Sequence, residues 1–130
     1  MISAIYASLA ALLIGWLSFN VIKLRRKHQV SLGDGDVREL KVARAAQANA
    51  VEYIPISLLL LFALELNQGA FIVVNLLGIA LLAGRVLHAR GLLSGSFKKR
   101  VLGMKITFGT LFLLSIFNIF YVLYSQLGGL

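Results

Sequence analysis

The lysines and arginines of this chain, 13 in all, fall in two windows, Lys23 to Arg44 and Arg85 to Lys105, and none lies in Met1 to Ile22, Ala45 to Gly84 or Ile106 to Leu130. At about 1.5 Å of rise per residue, roughly 20 apolar residues cross a hydrocarbon core of about 30 Å. The first and last uncharged stretches are each long enough for one crossing. The middle stretch is long enough for two and is divided by the polar run Glu65, Asn67, Gln68 and Gly69. A water-soluble domain of 130 residues with 59% hydrophobic and only 14% charged residues would lack polar residues to cover its surface. The pattern therefore predicts an all-α membrane protein: a single domain of four transmembrane helices in antiparallel, up-and-down order, over residues 1–24, 37–66, 70–90 and 97–127.

Each basic window joins two spans on the same side. The positive-inside rule makes both loops cytoplasmic and leaves both termini and the short turn near Gln68-Gly69 outside. The first span has no basic n-region and is longer than a signal-peptide core, so it is expected to remain as a membrane helix. In the first basic loop, Asp36 is the expected N-cap of the second helix, with Glu39 three residues later completing a capping box. The chain has no cysteine, which excludes disulfides and thiolate metal centres. Its two histidines, His28 and His88, lack the spacing of a shared metal site. The expected partners are the bilayer and small molecules, not nucleic acid.

One stretch is costly for a membrane helix. Arg44 to Pro55 brings an arginine, Gln47, Asn49 and Glu52 into a segment that continues directly into the apolar run from Ile56 to Ala63. Glu52 and Arg85 are equidistant in sequence from the turn at Gln68-Gly69. Two antiparallel helices would bring them to one depth, where each charge would allow the other to persist in a poor solvent. The expectation is that Glu52 and Arg85 are partners, directly or through a ligand. One reading of this strip is a polar clamp between helices. The other is a pocket with cationic walls for an anionic, amide-rich small molecule, a role suited to the planar fork of arginine. Asn20, Asn75 and Asn118 are read as interhelical hydrogen-bonders, Tyr6, Trp16, Tyr121 and Tyr124 as packing or interfacial aromatics, and Glu65 as a solvated end residue.

Gln47-Ala48-Asn49-Ala50-Val51-Glu52-Tyr53-Ile54-Pro55 closely resembles a segment of the MAPEG family, membrane-associated proteins in eicosanoid and glutathione metabolism. The likeness extends to chain length, four spans, basic cytoplasmic loops and Gly84-Arg85-Val86-Leu87-His88 late in the third span, and is greatest to the short bacterial members. The resemblance implies a homotrimer that binds glutathione between subunits near the cytoplasmic face. It implies that Gln47, Asn49, Glu52, Tyr53 and Arg85 contact glutathione, with His88 where eukaryotic relatives often carry tyrosine. An arginine at the start of the fourth helix stabilises the glutathione thiolate in such proteins; Arg100 is the nearest match and Lys99 the alternative. The family's cation two residues before the glutamine is replaced here by Ala45, which leaves Arg44, one residue earlier and about 100° round the helix, as the cationic candidate. Leu92 stands in place of another site aromatic. The expected function is a glutathione transferase or peroxidase acting on a lipophilic electrophile. The alternatives are a non-catalytic trimer with a vestigial glutathione site and, more remotely, a small multidrug exporter, a class that typically carries its carboxylate in the first span.

Overall fold

Hydrocarbon offers no partner for a backbone amide, so an apolar chain within it must close its own hydrogen bonds, and an α-helix does so within one segment. The computed structural model describes residues 1–128 and contains α1 (Ser3–His28), α2 (Arg38–Leu66), α3 (Phe71–Ser94) and α4 (Phe97–Gln126), each long and apolar enough to cross a membrane. There is no strand among the described residues.

Two helices run further than expected, α1 to His28 and α3 to Ser94. Lysine and arginine are good helix formers, so Lys23 to Lys27 extend α1. It stops where Gln29 turns left-handed at φ 54° and Val30 N–H reaches back to the Arg25 carbonyl at 3.0 Å. In the same way α3 stops at Gly95, φ 74°, with Ser96 N–H on the Gly91 carbonyl at 2.8 Å. The cap expected of Asp36 is not formed. Asp36 is itself left-handed, φ 58°, and donates its N–H to Asp34 Oδ1 at 2.9 Å. Val37 occupies the cap position without a side-chain bond. Glu39 turns away from the helix start to meet His28 at 3.3 Å and Lys27 at 3.7 Å, tying the end of α1 to the beginning of α2.

Contacts at both ends are consistent with the antiparallel order. At one end lie the α1–α2 ties just described and the approach of Gly91 to the backbone of Arg100, so both basic windows share that end. At the other, Glu65 of α2 meets the start of α1, and Tyr121 Oη of α4 accepts the Ala70 N–H at 3.3 Å. The central helices α2 and α3 touch each other and both outer helices, whereas α1 and α4 do not meet. One core cluster, Tyr6, Leu61, Leu64, Val74, Leu77 and Leu114, fills the end bearing Glu65; a second, built largely on Ala10, Ala46, Ala50 and Ala89, lets the helices approach closely nearer the basic end. Tyr6 enters the first because Gly78 has no side chain, and its hydroxyl donates to Asn75 Oδ1 at 2.7 Å. Asn118 bridges α4 to the Leu60 carbonyl of α2 at 2.9 Å. Large apolar residues such as Leu12, Phe19, Ile72, Phe112 and Ile116 face outward, as lipid contact requires.

Glu65 is not a solvated end residue. Its carboxylate accepts Ile2 N–H at 2.7 Å, Ser3 N–H at 3.2 Å and Ser3 Oγ–H at 2.6 Å, so α2 caps α1. Helix N-termini have unsatisfied amides and favour negative charge, which explains the placement. Replacing Glu65 with Gln removes the charge and part of the acceptor set. It is expected to weaken the first turn of α1 by about 1 kcal/mol, read as faster amide exchange at Ile2, Ser3 and Ala4. Unchanged exchange would refute the cap.

Candidate functional site

A guanidinium dominates the interior near the basic end. Arg85 is only 2% exposed. It is held between three helices because α3 and α4 pack almost backbone to backbone: Gly84 and Gly91 of α3 face Gly103, Thr107 and the main chain of Arg100. That close approach carries Arg85 Nε to Thr107 Oγ1 at 3.1 Å and Nη2 to Met104 Sδ at 3.1 Å. Thr107 can accept because its own proton goes to the Gly103 carbonyl at 2.8 Å. From α2, Asn49 Oδ1 accepts Nη1 at 2.5 Å and the Asn49 carbonyl accepts it again at 3.3 Å. The Tyr53 ring lies under the guanidinium, with Cζ 5.5 Å from its centroid, and is braced edge-on by Phe108 at 5.5 Å. Asn49 and Tyr53 are four residues apart and therefore share one face of α2.

The direct Glu52–Arg85 pair is not formed. Among the described residues no carboxylate lies within ion-pair distance of Arg85, and Glu52 is exposed. Depth counting was right to within one turn, but it carries no information about direction around the helix. Glu52 is two residues, about 200°, from the buried Ala50. It therefore projects from the outer face of α2, while Asn49 takes the arginine.

The remaining candidates are dispersed around this centre. His88 is buried, 4% exposed, one turn from Arg85 against the backbone of Gly103. Gln47 turns towards α1 and donates to Ser18 Oγ at 3.4 Å. Arg44 lies 3.9 Å from Asp34 in the first loop and does not point into the Arg85 cluster. Arg100 and Lys99 are exposed on the first turn of α4. Thus Arg85, Asn49 and Tyr53 come together directly, and Gln47, Arg44, Glu52 and the α4 cations do not join them within one chain.

Thr107 and Met104 were missed in the sequence. The signal was present: Arg85 and Ile106 are equidistant from the turn at Gly95-Ser96, so the counting applied to the α2–α3 hairpin would have placed Arg85 beside Thr107 had it been applied to α3–α4. Chemically, the cluster presents a desolvated cation whose visible hydrogen-bond partners are all neutral, with a tyrosine ring and an asparagine amide beside it.

Comparison with known proteins places the whole chain among relatives. The chain is similar to "Inner membrane protein YecN" of Escherichia coli (strain K12), 42% identical over 122 residues that cover 94% of this chain and 93% of that protein. The protein of the same description from Escherichia coli O6:H1 matches with the same identity and coverage. Residues 3–120, which include all four helices nearly entire and every residue of the Arg85 cluster, match the MAPEG family. The chain belongs to the MAPEG family.

Proposed function

We propose that this chain is a homotrimeric, multi-pass inner-membrane protein that binds glutathione between subunits and uses it as a transferase or peroxidase cosubstrate against a lipophilic electrophile. The observation that carries this reading is the buried Arg85 with no carboxylate opposite it among the described residues. A guanidinium enclosed by neutral groups at membrane depth is best satisfied by an anion, and glutathione supplies two carboxylates and two amides. Asn49 still has its amide N–H donors available, since only its oxygens are engaged by Arg85 among the described residues. The outer face of α2 supports subunit contact. Ala45, Ala48 and Glu52 are exposed together there. Small residues permit close approach of a neighbouring helix, and a carboxylate is costly against lipid but not in an interface that supplies a ligand ammonium or amides.

In this reading both basic windows face the cytoplasm. Arg85 and Asn49 hold the peptide, Tyr53 and His88 line the depth of the site, Glu52 contributes from the subunit boundary, and Gln47 and Arg44 join by exchanging their contacts with Ser18 and Asp34 for the ligand. Arg100, or Lys99, stands by the sulfur and favours the thiolate. The thiolate then attacks the electrophilic atom of a substrate arriving from the bilayer, forming a bond to sulfur as the leaving group departs.

Calorimetric titration of the purified protein with glutathione tests the reading. Saturable heat is expected from the wild type, and affinity about tenfold lower for Glu52→Gln, the loss of one charge-assisted hydrogen bond. No heat from the wild type overturns glutathione binding. A second reading, binding without catalysis, is favoured by the uncharged Ala45 and by the engagement of Arg44 with Asp34, which together leave the α2 rim short of a cation. Saturable binding with no turnover across a broad panel of electrophiles would select it.

A further inference from the structure

A cavity lies at the basic end, between α1, α2 and the end of α3, and shares no residue with the Arg85 cluster. It has a volume of about 550 Å³ and is lined by Trp16, Asn20, Arg38, Glu39 and Leu93 among others. A smaller cavity of about 390 Å³ adjoins it across Trp16, Leu93 and Ser94 and adds Arg90 and Lys99. Asn20 was expected to bond a neighbouring helix, but among the described residues its amide has no such partner and faces this space. The one carboxylate of the wall, Glu39, already faces His28 and Lys27. Arg38, Arg90 and Lys99 have no ion-pair partner among the described residues. Trp16 is 55% exposed and presents an apolar ring with one N–H donor, the type of side chain that settles at a membrane–water boundary.

We propose that this cavity is a binding site for the head of an anionic phospholipid, with its phosphodiester held by Arg38 and Asn20, flanked by Arg90, and its acyl chains laid over Trp16 and Leu93. Each element of the lining fits a part of that molecule. The surplus of cations over free carboxylates selects negative charge. The unpartnered amide of Asn20, one turn beyond Trp16 towards the basic end, supplies a donor at headgroup level. The apolar wall opens outward, where a tethered tail must leave. A phosphate ester in solution shares the head chemistry but makes no use of that wall.

Trp16 is the only tryptophan, so its fluorescence reports on the cavity directly. Delipidated protein in neutral micelles is titrated with phosphatidylglycerol brominated on its chains, and separately with brominated phosphatidylcholine. Half-maximal quenching is expected at a mole fraction about fivefold lower for the anionic lipid. The preference should disappear in Arg38→Gln and in Asn20→Leu, and should remain in Arg38→Lys. It should also remain in Arg26→Gln, which removes an exposed cation outside the cavity. Circular dichroism establishes that each variant is helical. Equal quenching by the two lipids overturns the proposal. An equal loss in Arg26→Gln does so too, since the attraction would then be diffuse. Displacement of the brominated lipid by millimolar glycerol phosphate would assign the cavity to a soluble phosphate ester and overturn the lipid assignment.

Discussion

Gly103→Val separates α3 from α4. A Cβ at Gly103 would lie 2.7 Å from His88 Cα and 2.8 Å from the Gly84 carbonyl oxygen, and neither is the movable end of a side chain. The helices must part or rotate, and every contact that depends on their closeness is lost with them. Thr107 is one turn along the same face, so its bond to Arg85 is lost as well. Overpacking of this kind costs about 3 kcal/mol, a large share of the stability of a small domain. Unfolding by dodecyl sulfate in mixed micelles, followed by circular dichroism, reads the loss. Gly109 on the same helix has nothing within 4 Å of its would-be Cβ, so Gly109→Ala is expected to cost no stability and to gain up to about 1 kcal/mol from helix propensity. Equal effects at the two positions would mean that α3 and α4 are not packed backbone to backbone at Gly103.

This pair of glycines illustrates what the sequence makes legible. The charge windows, together with the polar turn that divides the middle stretch, separate four spans and put both basic loops at one end, because the cost of placing lysine or arginine in hydrocarbon depends on depth. Depth is a one-dimensional quantity that residue counting recovers. Direction around a helix is different. In a soluble helix, apolar and polar residues divide the circumference, but these helices are apolar nearly all round, and the faces turned to lipid and to protein are written in similar residues. Nothing in composition distinguishes Gly103 from Gly109. For the same reason depth counting pairs Glu52 with the arginine that Asn49 holds, one turn away. The second kind of contact beyond counting is the long-range cap. Glu65 follows an apolar run and precedes a turn, the setting of a solvated residue, and only the fold brings the amides of Ile2 and Ser3 to it. What marks the candidate site in the sequence is the number of polar groups in the strip from Arg44 to Pro55, each of which requires a reason at that depth; of these, Asn49 and Tyr53 find their partners on α3 and α4.

Arg85 is the residue at which stability and ligand binding can be separated. Arg85→Ala removes a buried side chain and leaves Asn49 Oδ1 and Thr107 Oγ1 facing a void. The cavity and the unmatched acceptors together cost about 3 kcal/mol. On the proposed reading glutathione affinity should fall about tenfold or more, since the charge-assisted contact made by the remaining Nη2 N–H is removed. Loss of binding in this variant alone would not distinguish a receptor from a pillar, so two further substitutions are needed. Arg85→Met restores much of the volume without charge; it should recover part of the stability and none of the binding. Arg85→Lys keeps the charge as a single point and cannot donate to Asn49 and Thr107 in one plane while engaging a carboxylate; it should bind with intermediate affinity. Glutathione titrations beside unfolding curves for the three variants give the test. If Arg85→Met binds glutathione as the wild type does, the guanidinium is only a polar clamp joining α2, α3 and α4, and the anion must be held elsewhere. If binding falls in the order arginine, lysine, methionine while stability does not follow that order, the buried charge serves the ligand.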